Sequence, residues 1–188
     1  MNFAAEVARF SRIAEEKGLV DSIEGNLSII DRNTGNIYIT PSHKSKLVLT
    51  EEDIFVVNSG GTQIGGIGKK SSEYFLHEAA YAARPDIGAV FHCHPSYLTA
   101  YAFAYKDFIP PTDTALCHVF PEIKCLPYGA FGTHAIHQGI EEALNGRAVA
   151  LLGGPGVVCV GADLEEAIGL LEAAENFAKT IALKKALL

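Results

Sequence analysis

The chain has 188 residues, enough for one well-packed domain. Apolar residues make up 48% and charged residues only 20%, which excludes a disordered chain, and a formal net charge of −7 with no basic stripe beyond Lys69-Lys70 argues against nucleic-acid binding. Cys93, Cys117, Cys125 and Cys159 show no CxxC spacing, the N-terminus MNFAAEVARF lacks a signal-peptide pattern, and no apolar run approaches ~18 residues. These features point to a cytoplasmic protein with reduced thiols and no membrane partner.

Residues 3–17 repeat apolar side chains at helical spacing and stop at Gly18. After a loop, Gly25-Asn26 leads into two strands, 27–31 and 36–40, joined by the hairpin signal Asn33-Thr34-Gly35. Asn26 by itself reads as a turn residue. Residues 40–46, TPSHKSK, form a polar loop whose hydroxyls and lysines suit an anion or plain solvent. Thr50-Glu51-Glu52-Asp53 is a cap pattern before a strand at 54–58. The glycine-rich stretch 59–70 lacks the spacing of a nucleotide-binding loop, because Gln63 stands where glycine is needed and Lys69 is followed by lysine.

The chemistry concentrates in residues 71–97, SSEYFLHEAAYAARPDIGAVFHCHPSY. Ser71 and Ser72 open a predicted helix, either as caps or as an anion cradle at its N-terminus. Glu73, in the first turn, is a carboxylate favoured by the helix dipole or a general base. The helix stops at Arg84-Pro85-Asp86, and residues 88–94 read as a strand. On a strand, His92 and His94 would share one face with their Cα atoms ~6.6–6.8 Å apart, a spacing that lets two imidazoles bind one divalent ion. Phe91 and Cys93 would face apolar packing.

Pro95 starts a helix, residues 106–112 form a loop, and 123–128 is a strand. Thr133 caps a predicted helix ending near Gly146, on which His134 and His137 are neighbours with no third ligand and read as surface residues. Strands at 148–152 and 157–160 flank a Gly-Gly-Pro-Gly turn, and Asp163 caps a last helix. The expected fold is α/β: a single domain spanning 1–188, with a central, mainly antiparallel sheet flanked by helices.

The ordered motifs GNLSI at 25–29, ITPS at 39–42, SSE at 71–73, RPD at 84–86, VFHCHP at 90–95, YGAFGT at 128–133 and ADLEEA at 162–167 resemble the class II aldolase/adducin family, nearest to its fuculose-phosphate aldolase members. The resemblance covers almost the whole chain. It implies a metal-dependent aldehyde-lyase that reversibly cleaves a small ketose phosphate in a homotetramer with active sites at subunit interfaces. By the family pattern Glu73 is the catalytic acid/base, and His92 and His94 are zinc ligands. Asn26, Ser42, Ser71 and Ser72 hold the substrate phosphate. Asp113 and His118 fall in a segment that approaches the site in relatives.

One position departs from the pattern: the family's third zinc histidine is replaced by Pro155, between Gly154 and Gly156, so a three-histidine site does not carry over. Two alternatives therefore stand beside the aldolase reading. One is an impaired member serving as a ligand-binding or assembly scaffold. The other is an epimerase or other lyase with an altered metal site.

Overall fold

The computed structural model describes residues 2–68, 71, 73–110, 119–120, 122–130, 133–154 and 156–187. Helix α1 (Phe3–Glu16) begins where the Asn2 side chain accepts from Ala5 N, 3.1 Å away. The hairpin follows as β1 (Asn26–Asp31) and β2 (Asn36–Ile39), then β3 (Phe55–Val57) and β4 (Gln63–Gly65). Next come α2 (Tyr74–Ala83), β5 (Ala89–Cys93), α3 (Ser96–Phe103) and β6 (Lys124–Leu126). The chain continues through α4 (Ile140–Leu144), β7 (Val149–Leu152), β8 (Gly156–Gly161) and α5 (Leu164–Ala186).

The strands form one sheet in the order β4-β3-β2-β1-β5-β8-β7-β6. Its pairings are antiparallel except the parallel contact of β6 with β7. This is the mainly antiparallel α/β architecture expected from the sequence.

Side-chain alternation sends each central strand into two cores. Leu27, Phe91, Cys93, Val157 and Cys159 point to the face covered by α1, α3 and α5. Val90, Val158, Val160 and Leu152 point to the face covered by α2 and α4. The near-continuous apolar runs of β5, β7 and β8 follow from this double burial.

Of the boundaries that differ from expectation, three have a local cause. Helix α2 starts at Tyr74 rather than at Ser71–Ser72, because Ser71 Oγ accepts from Glu73 N at 3.2 Å and closes a non-helical turn first. Strand β5 ends at Cys93, since Pro95 has no N–H to extend the ladder and instead starts α3. The helix expected from Thr133 splits into a 3-10 turn at His134–His137 and α4, because Gly139 adopts φ +84° between them.

Candidate active site

Two strands and one helix start build the site. Asn26 of β1 lies directly opposite His92 of β5, so their side chains stand together on the α2 face. Gly25 permits this entry: its φ is +77°, and a Cβ there would come within 2.6 Å of Val20 and 3.0 Å of the His92 carbonyl oxygen. Glu73, at the N-cap of α2, descends onto the pair. Its Oε2 accepts a short hydrogen bond from Asn26 Nδ2, and its Oε1 lies 3.3 Å from His92 Nε2.

His92 is held from behind. Its Nδ1–H donates to the Val157 carbonyl at 3.0 Å, which leaves Nε2 for the site. That nitrogen is buried, and its approach to Glu73 lacks hydrogen-bond geometry. A ring tied down at one nitrogen with the other turned inward and poorly satisfied suits a metal ligand. The His94 ring stands 4.9 Å from that of His92, at 78°. Gly156, with φ +111°, lets the backbone press against it: a Cβ would come within 2.5 Å of His94 Cδ2.

Burial pushes the Glu73 carboxyl upward, but His92 and the Asn26 amide outweigh it and hold its pKa at about 2. Glu73 is therefore an anion in a nearly dry place. Burial also opposes a charged His92, yet the Glu73 carboxylate raises its pKa on balance.

Glu73 and Asn26 open onto a cleft of about 240 Å³ whose walls include Ser42, His43, Ser71 and His94. The structure thus brings Asn26, Ser42, Ser71, Glu73, His92 and His94 into one region. Ser72, Asp113, His118 and Pro155 lie outside the described residues. The lysines of the polar loop are otherwise engaged. Lys44 pairs with Asp53, and Lys46 is fully buried, its Nζ donating to the Lys44 carbonyl at 3.4 Å. His43 has φ +57°, a left-handed conformation in which glycine is easier to place.

Sequence reasoning missed Glu24, whose Oε2 lies 3.3 Å from His94 Nδ1 at the cleft mouth. Its only signal was its place two residues before Asn26. It also missed His77, Ser28 and Tyr81, which stand behind Asn26. Their signal was present: Glu73, His77 and Tyr81 recur every four residues, and Asn26 and Ser28 every two. Among the described residues no three His, Cys, Asp or Glu side chains are gathered into a ready metal cage, the 3-10 turn with His134 and His137 included.

Residues 5–182 match the sequence profile of the Class II Aldolase and Adducin N-terminal domain. The 5-deoxy-D-ribulose 1-phosphate aldolase of Bacillus thuringiensis is 28% identical over 170 residues, covering 90% of this chain and 79% of that protein. The L-fuculose phosphate aldolase of Escherichia coli K12 is 32% identical over 163 residues, covering 86% and 74%. A solved L-fuculose 1-phosphate aldolase superposes with a TM-score of 0.91 at 28% identity, covering 98% of this chain and 87% of its own. The profile match over nearly the full length, the 32% identity and the shared fold agree, and the chain belongs to the class II aldolase and adducin family.

Proposed function

We propose that the chain is a class II sugar-phosphate aldolase, a lyase that reversibly cleaves a small ketose phosphate into dihydroxyacetone phosphate and an aldehyde. The observation carrying this reading is a buried, ionised Glu73 on the wall of a cleft bordered by Ser42, Ser71 and His94, with the buried His92 against its carboxylate. In the condensation direction, Glu73 takes a proton from the carbon next to the ketone of the bound phosphorylated hydroxyketone, leaving an enediolate. In the cleavage direction it returns that proton. Asn26, Ser42, Ser71 and Ser72 are the proposed phosphate contacts, with the hydroxyls donating to its oxygens.

Class II aldolases use a divalent metal. Here His92 and His94 would hold it, with the Glu24 and Glu73 carboxylates beside them to balance its charge, and zinc suits such a mix of imidazole and carboxylate. When bound, the ion supplies Lewis-acid stabilisation of oxyanion charge. A homotetramer in the cytoplasm completes the proposal. Among the described residues no helix is long and apolar enough to cross a membrane.

The proline at 155 favours a second reading, a family scaffold that binds without catalysing. Glu73→Gln separates the two. The aldolase reading expects cleavage of L-fuculose 1-phosphate or 5-deoxyribulose 1-phosphate to fall by about 10²–10⁴-fold in Glu73→Gln, with metal content unchanged. Wild-type protein that carries no divalent metal and cleaves neither compound supports the scaffold.

A further inference from the structure

Behind Glu73, the interface of β1 with α2 carries a line of buried polar groups, of which the reaction above uses only Glu73 and Asn26. Glu73, His77 and Tyr81 follow one another at four-residue intervals along α2 and share a face. Asn26 and Ser28, two apart on β1, stand opposite them. Ser28 and His77 are fully buried, and Asn26 and Tyr81 nearly so. An unsatisfied donor or acceptor there would cost about 1–3 kcal/mol.

Each is satisfied by the next. Tyr81 OH lies 2.8 Å from Ser28 Oγ, which lies 2.7 Å from His77 Nδ1. His77 Nε2 bonds Asn26 Oδ1, and Asn26 Nδ2 bonds Glu73 Oε2. The carboxylate sets the polarity of the whole line. An ionised carboxylate only accepts, so Asn26 presents its NH₂ to Glu73 and its carbonyl oxygen to His77. That oxygen also only accepts, so the His77 proton sits on Nε2.

His77 is fully buried, and burial pushes its pKa down to about 3, so the ring is neutral and Nδ1 is bare. Nδ1 therefore takes the Ser28 hydroxyl proton. Ser28 Oγ in turn accepts from Tyr81 OH, whose other acceptor, the Gly88 carbonyl, is 3.5 Å away. Every hydrogen in the line points toward Glu73.

We propose that His77, held as the Nε2–H tautomer between Asn26 and Ser28, is a positioning residue for Glu73. It selects the Asn26 amide orientation that donates to Glu73 Oε2, and so leaves Oε1 as the oxygen turned toward His92. The opposite tautomer would let the Asn26 amide turn and set its oxygen against the carboxylate, two acceptors face to face. This role deepens the aldolase reading and rests on it for its catalytic consequence. The hydrogen-bond line itself does not.

Two measurements test it. In ¹⁵N-labelled protein, two-bond ¹H–¹⁵N spectra distinguish the ring tautomers, and His77→Gln removes, and so assigns, the His77 signals. His77 is expected as Nε2–H only; a His77 carrying its proton on Nδ1 overturns the proposal. In the kinetic arm, His77→Leu is expected to lower kcat for L-fuculose 1-phosphate cleavage about tenfold with KM nearly unchanged. His77→Gln, which restores an N–H toward Asn26, recovers most of that loss. Equal losses in both variants, or a loss confined to KM, overturn it as well. Wild-type protein inert toward this compound would count against the aldolase reading, while the tautomer still decides the hydrogen-bond line.

Discussion

The two faces of the sheet use the same strands for opposite purposes. On the face under α1, α3 and α5, the inward residues are apolar throughout: Leu27, Phe91, Cys93, Val157 and Cys159. On the face under α2, β1 and β5 present Asn26, Ser28 and His92 among Val90, Val158 and Val160. The first face is packed with apolar side chains and thiols. The second admits polar groups that bond one another, apart from the His92 nitrogen turned toward the site. Period-two alternation makes this division possible, because one strand can serve both faces with adjacent residues. Phe91 and His92 are neighbours in sequence and opposites in role.

Substituting those neighbours is the most direct way to break the comparison. Phe91→Ala removes a fully buried ring and is expected to cost about 3–5 kcal/mol in urea unfolding, while divalent-metal content stays at the wild-type level. His92→Ala is expected to do the reverse, losing metal with a smaller loss of stability. Two variants that fail in the same way would erase the division of labour.

Glu24 tests how far the polar face extends toward solvent. Glu24→Gln is expected to weaken divalent-metal affinity by about 10–100-fold in chelator competition, because its carboxylate lies beside His94. Glu52→Gln, at an exposed position on the 3-10 turn before β3, serves as the control and should change nothing.

A smaller effect lies at the end of α2. Arg84 donates to both oxygens of Asp86 and holds its pKa at about 2. The folded value is depressed, so the stabilisation is fully present above the unfolded value of ~3.9 and is lost as pH falls toward 2. Unfolding followed across that window should show a shallower pH dependence in Asp86→Asn than in wild type. Equal slopes would leave the pair without a role in stability.

The smallest effect is expected at His43, whose left-handed backbone a glycine would adopt without strain. Relief of ~1–2 kcal/mol is partly offset by glycine's greater freedom in the unfolded chain, so His43→Gly should raise stability by less than about 1 kcal/mol in the same unfolding assay. A loss would mean that the imidazole contributes contacts at the cleft edge that outweigh its strain.

Much of this architecture was legible in order along the chain. The α1 repeat, the Asn33-Thr34-Gly35 hairpin and the apolar runs of β5, β7 and β8 report their own burial, because periodicity is a local consequence of which side meets the core. His92 and Glu73 were legible as chemistry, since their residue types are costly to bury without purpose. The boundaries at Ser71, His94 and Gly139 were not, because single turns and missing N–H groups decide them.

The sequence alone determined the elements, the two-sided burial of the central strands and the motifs that place the chain in its family. It did not determine which polar residues would meet. Asn26 and His92, 66 positions apart in the chain, became partners through the β1–β5 register, and Glu24 reached His94 only through the loop that folds back before β1. The line from Tyr81 to Glu73 exists because α2 was laid over β1 with four-residue and two-residue spacings in step. Distant segments are brought together by packing, and hydrogen bonds act only at contact distance. The identity of the groups therefore belongs to the sequence, and their orientation belongs to the tertiary fold.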